Sequence, residues 1–141
     1  MDRLNGLTDA MRAHVARLNM PAYRVADVAP QSHIELLRCY NVTGKLVIWA
    51  GCSDRTIWGG PADNWRFRAW HDLCHIKSGM CDKVDCFTAD SEIELSRFQC
   101  LGLSDGLGLA VDIEIAGQAG HYAKTGRFVD DQIRFALEKG L

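Results

Sequence analysis

Two histidines, His71 and His75, stand four residues apart in the run "NWRFRAWHDLCHIKSG", with Asp72 directly after the first. On an α-helix that spacing puts both imidazoles on one face, about 40° apart, where their ring nitrogens can share a cation. Glu92 follows seventeen residues after His75. Two imidazoles and one carboxylate can hold a metal ion while leaving a coordination position open to water or substrate. Zinc suits these donors, with Fe²⁺ or Mn²⁺ as alternatives. The chemistry would be hydrolysis by a metal-activated water, with Asp72 or Glu114 as the base.

Helical spacing extends the pattern. Glu92, Ser96 and Gln99 recur at i, i+4 and i+7 on a segment otherwise rich in apolar residues: Ile93, Leu95, Phe98, Cys100, Leu101 and Leu103. Such a helix should be buried, and a carboxylate on it needs a partner. Glu94 competes with Glu92 as ligand, but Ser91 and Glu94 spell a capping box and Arg97 is three residues on. Glu114, Gln118 and His121 repeat the i, i+4, i+7 stripe further along. Arg68 lies beside the histidine pair. Gln99, Gln118, His121 and Arg68 are therefore expected to add to the site or to orient its ligands. Gly117 and Gly120, unfavourable within a helix, suggest close approach of a neighbour. Two rival accounts are solvated surface imidazoles and a buried hydrogen-bond network without metal.

H-D-x-x-H with a downstream Glu is similar to the zincin arrangement H-E-x-x-H…E. Asp72 replaces the motif's general-base glutamate and is one methylene shorter, which puts peptidase activity in doubt; it could instead orient an imidazole. The same ligands form the facial triad of non-haem iron. With Glu114 and His121 they would suffice for a two-metal centre, although the doubled E-x-x-H of such helix bundles is missing. The segments "TIWGGPADNWRFRAWHDLCH", "FTADSEIELSRFQ" and "EIAGQAGHYAKTGRFVDDQIRF" resemble a group of small tailed-phage proteins with an F-R-A-W-H-D-x-x-H core. The resemblance covers roughly residues 45–136. It implies metal binding, phage origin and a place in the host cytoplasm, and supplies no reaction. By that motif the matched positions are His71, Asp72, His75, Glu92, Gln99, Glu114 and Gln118, but not His121.

The elements that must hold these residues are mostly helices. "LNGLTDAMRAHVARL" reads as a first helix stopped by Pro21, with His14 on its polar side. "SHIELLRCYNVTG" reads as a second, capped by Ser32 at His33 and ended near Gly44. "KLVIWAG" and "RTIWGG", around "CSD", read as a β-hairpin near residues 45–59. "PADNWRFRAWHDLCHIKSG" starts with helix N-terminal signals and ends at Gly79; its core stripe is Trp65, Ala69, Leu73 and Ile76. "TADSEIELSRFQCLGLSDG", with Thr88, Asp90 and Ser91 as candidate caps and Gly106 as its stop, "LGLAVDIEIAGQAGHYAKTG", stopped by Gly126, and "DDQIRFALEKG" complete the set. The expected fold is mainly α (α+β). It is a bundle-like single domain over 1–141, with a helical region at 1–40, the hairpin, and a helical metal-site core at 61–140.

Composition narrows the function. The 141 residues are 48% hydrophobic and 24% charged, and the net charge is −2. No Lys/Arg-rich run exists, so nucleic acid is not an expected partner. No apolar run is long enough to span a bilayer, and the N-terminal stretch lacks a signal-peptide core, so a cytoplasmic place is expected. The six cysteines form no C-x-x-C pair and should be free; Cys81 and Cys86 alone could meet across "DKVD". The four tryptophans read as packing residues. The leading expectation is a metal-dependent hydrolase acting on a small-molecule or protein substrate. The alternative is a non-catalytic phage accessory protein, an inhibitor of a host or defence protein, with a structural metal or polar network.

Overall fold

The computed structural model describes residues 2–79 and 87–141. In chain order it comprises α1 (Asp2–Ala16), β1 (Tyr23–Ala26), α2 (His33–Thr43), β2 (Leu46–Trp49), α3 (Pro61–Lys77) and α4 (Ala89–Cys100). Helix α5 (Asp105–Asp112) then runs through a π-helical turn (Ile113–Gly117) into α6 (Gln118–Thr125), and α7 (Gln132–Glu138) follows. The chain is mainly α with one small sheet. No described helix is long and apolar enough to cross a membrane.

Local chemistry accounts for most of the boundaries. The Ser32 hydroxyl accepts from the Glu35 N–H at the start of α2, and Gly44 ends it in the left-handed conformation. Pro61 opens α3, where its missing N–H costs nothing. At α4 the cap is Thr88, paired reciprocally with Ser91, rather than Ser91 with Glu94. Glu94 instead pairs with Arg97 on the surface. Helix α4 stops at Cys100, several residues before Gly106, and its Phe98 and the adjoining Leu101 are exposed. The expectation of an all-round buried helix is thus corrected: Leu95, Ser96 and Gln99 face inward, and the opposite side meets solvent.

The expected hairpin at 45–59 is also corrected. β2 pairs in parallel with β1, in the register Tyr23↔Leu46 to Ala26↔Trp49, with α2 as the crossover. Residues after Trp49 do not return as a strand; a single bridge, Thr56↔Gly59, closes a tight turn. Ile57 and Trp58 are apolar because they plug the core, not because they join a ladder. A two-stranded sheet is marginal alone. Here Leu46 and Ile48 bury against Leu36 of α2 and Ala69 of α3.

The larger core gathers Met11 and Val15 from α1, Phe67 and Trp70 from α3, Leu95 from α4, and Leu107, Ala110 and Val111 from α5. His14 is not solvated as expected: its ring lies 4.8 Å from that of Trp70, and burial lowers its pKa. Among the described residues Cys39, Cys52, Cys74 and Cys100 are free. Cys81 and Cys86, and the contact expected between them, lie outside the described residues.

Arg68 ties the sheet to α3. Its guanidinium donates to the carbonyl oxygens of Trp49 (2.7 Å), Gly51 (2.6 Å) and Cys52 (3.5 Å), and lies over the Trp49 ring. The loop it grips is tight. Cys52 has φ 52°, and a Cβ on Gly51 would sit 2.2 Å from the Trp49 indole. Arg68→Ala is expected to cost about 2 kcal/mol in lost charge-assisted hydrogen bonds. Differential scanning calorimetry should show a fall in Tm of roughly 5 °C or more. Arg68→Lys should recover only part of it, because an ammonium cannot fork between carbonyls.

Candidate metal site

Helix α3 turns His71 and His75 toward α4, which meets them with Glu92 in its first turn and Gln99 in its last. His71 Nε2 lies 2.9 Å from Glu92 Oε2, His75 Nε2 lies 3.0 Å from Glu92 Oε1, and the two Nε2 atoms are 3.1 Å apart. Donors 2.0–2.1 Å from a tetrahedral cation stand about 3.3 Å from one another. The two imidazole nitrogens, and each with its own nearest Glu92 oxygen, stand slightly closer than that. His71, His75 and Glu92 form a group able to hold a metal ion among the described residues, with His75 buried and the others half-buried.

Gln99 Oε1 lies 2.9 Å from His71 Nδ1 and accepts from it in the tautomer that carries the proton on Nδ1, which turns the Nε2 lone pair toward Glu92 and His75. The two Nε2 atoms and the two Glu92 oxygens converge, an arrangement held together by protons or by a cation between them. The pKa values follow from the same crowding. Burial alone would depress His71, but the Glu92 carboxylate, its hydrogen bond and that of Gln99 lift it to about 9. Burial would raise Glu92, yet the two imidazoles hold it down to about 2. His75, more deeply enclosed, is lowered, chiefly by burial.

The triangle opens on a cleft of about 740 Å³, walled by His71, Glu92, Arg68, Glu114, Gln118 and several aromatic side chains. Glu114 sits in the π turn, where Gln118 N–H bonds back to the carbonyls of Ile113 and Ile115 rather than to that of Glu114. One carboxyl oxygen of Glu114, Oε1, is buried with no hydrogen-bond partner among the described residues. Burial pushes its pKa up to about 7, against the opposing pull of Gln118 and Arg68. Asp72 lines an adjoining pocket with Arg68 and is likewise raised by burial to about 7.

Several expected roles change. Gln99, not Asp72, orients the His71 ring. Ser96, though on the polar line of α4, donates to Asp112 (2.8 Å) and braces α4 on α5. His121 packs edge-on against Phe135 at 5.6 Å and is outside the ligand group. The reason is the π turn: its wider winding shifts the phase of the helix, so Glu114 and Gln118 share the cleft while His121 swings away. Gly117 does mark a close approach, since a Cβ there would lie 3.4 Å from the Phe135 ring, but Gly120 has open space. Glu114 joins no metal group with the triangle among the described residues, so the two-metal arrangement is not formed.

Some lining residues carried no signal in the spacing. Phe87 stacks near His75 at 5.0 Å. Phe128 lies between Trp49 (6.3 Å) and Tyr122 (5.1 Å) at the cleft mouth. The one available hint was a lone phenylalanine in the polar run "TGRFVDD". Compared with protein-family models, curated proteins and solved structures, the chain matches none.

Proposed function

We propose that the protein binds one divalent transition metal, zinc by the donor types, through His71, His75 and Glu92, and is a metal-dependent hydrolase. The observation that carries this is the convergence of His71 Nε2, His75 Nε2 and the two Glu92 oxygens, in contacts of 2.9, 3.0 and 3.1 Å, with Gln99 beside His71 Nδ1 to favour the tautomer that ligates through Nε2. Hydrolysis is supported by the cleft beside it and by the absence of a fourth ligand in the group among the described residues. A bound cation would supply an acidified water. Of the two acids expected as base, Glu114 is favoured, because it shares the cleft with His71 and Glu92, whereas Asp72 faces the adjoining pocket. The resemblance to tailed-phage proteins supports a phage-encoded protein acting in the host cytoplasm.

A non-catalytic reading, in which the cation only braces α3 on α4, draws support from His75, 1% exposed and packed by Phe87. The two readings separate by experiment. Plasma mass spectrometry of the purified protein should find about one equivalent of metal, lost in His75→Ala. In the cobalt-substituted protein, acetohydroxamate should shift the visible absorption if a coordination position exchanges with solvent. An unchanged spectrum on a loaded protein rejects the hydrolase and leaves the structural metal. No bound metal in wild type rejects both.

A further inference from the structure

The walls of the cleft constrain what it can admit. Arg68 is the only basic side chain among its lining residues apart from the histidine, and the guanidinium is already engaged by three loop carbonyls. Glu92 and Glu114 also face the space. A phosphate or carboxylate entering it would meet two acids and, outside the His71–His75–Glu92 group, no uncommitted cation among the described residues. Phosphoryl binding instead uses Arg forks, lysines or helix N-termini aimed at the anion.

The remaining surface is of a different kind. Phe128, 63% exposed, stacks between Tyr122 and Trp49 at the mouth, an arrangement that leaves aromatic faces open to solvent. In the same lining, Gln118 and Gln132 present neutral amides, and Glu114 Oε1 is a buried oxygen with no hydrogen-bond partner among the described residues. A buried polar atom in that state costs on the order of 1–3 kcal/mol until something pairs with it. Apolar walls with a few convergent polar groups are the usual make-up of a small-molecule site, and the volume lies within the usual range of hundreds of Å³.

We infer that the cleft binds an uncharged amide carrying an aromatic group, with the ring on Phe128 and Tyr122, the amide N–H donating to Glu114 Oε1 and the amide carbonyl accepting from Gln118. The metal reading assigns the reaction at this site; the binding preference stands on the walls alone and is tested without metal. The test titrates three probes into chelator-treated and zinc-loaded protein, read by protein NMR: N-acetyl-phenylalanine amide, phenyl phosphate and adenosine. The amide should bind at least tenfold more tightly than the other two in both forms. Phe128→Ala should lower its affinity about tenfold; the exposed ring leaves folding intact, as circular dichroism would check. Glu114→Gln should keep the binding and Glu114→Leu weaken it, because glutamine retains an oxygen that accepts the ligand's N–H and leucine does not. Equal or tighter binding of phenyl phosphate overturns the proposal in favour of a phosphoester site. Tighter adenosine overturns it in favour of a nucleoside. No effect of Phe128→Ala, or no amide binding in either form, overturns it outright. A failure of the metal reading shows separately, as zinc content of zero with the probe order intact.

Discussion

Glu92→Ala is expected to weaken zinc binding on the order of a thousandfold, whereas Glu94→Ala, two residues away, leaves it unchanged. Glu92 presents one carboxyl oxygen to each imidazole, at 2.9 and 3.0 Å. Its removal leaves two facing imidazoles and no anion to offset the charge of the ion. Glu94 is exposed and engaged with Arg97 at 3.3 Å. Gln99→Leu should fall between them, about 10–100-fold weaker, since an orienting partner rather than a ligand is lost. Competition titration against a chromophoric chelator measures all three. Equal losses for Glu92→Ala and Glu94→Ala would mean that the triangle is not the binding site.

The second large effect is on pH. His71 is raised from 6.5 to about 9 in the metal-free fold. Stability contributed by its proton is fully present below pH 6.5 and is lost as pH rises through 9. At 1.36 kcal/mol per unit this is on the order of 3 kcal/mol. Glu92 works at the other end: its stabilisation is present above pH 4.5 and lost as pH falls toward 2. Asp72 and Glu114, both raised to about 7, add to the decline as pH rises through 7. Metal binding reverses the trend, because the ion must displace the His71 proton. Zinc affinity should therefore climb about tenfold per pH unit up to 9 and then level off. Thermal unfolding at pH 6.5 and pH 9, with chelator or with zinc, reads both effects. The chelated protein should lose Tm on going to pH 9, and the gap between loaded and chelated samples should widen. A gap independent of pH would mean that no proton on His71 is exchanged for the ion.

How much of this was legible in the residues depends on the range of the interaction. The imidazole pair at i, i+4 is a local fact of one helix, and it survives intact. Glu92 was legible at one remove, from the cost of an acid on a helix that must pack. Gln99 followed from the same stripe, seven residues on. The sheet was not legible, because its partner strand is four residues long and twenty residues upstream, and nothing local marks a parallel pairing. Trp58 and Ile57 look like strand residues by type, yet their burial comes from the core beneath the turn. His121 was misplaced for a subtler reason. A stripe counted at 100° per residue holds only while the winding stays α, and nothing in "DIEIAGQAG" signals the change.

That change of winding has a consequence for how the site is tied to chain length. A π turn takes one residue more than the α-helix that would follow the same path. Ile113–Gly117 therefore stores a surplus residue, and the orientation of everything after it is set by that surplus. Without it Gln118 and Tyr122 would be rotated by about 100°. The cleft thus owes its second wall to the length of the polypeptide between Asp112 and Gln118 as much as to any side chain there.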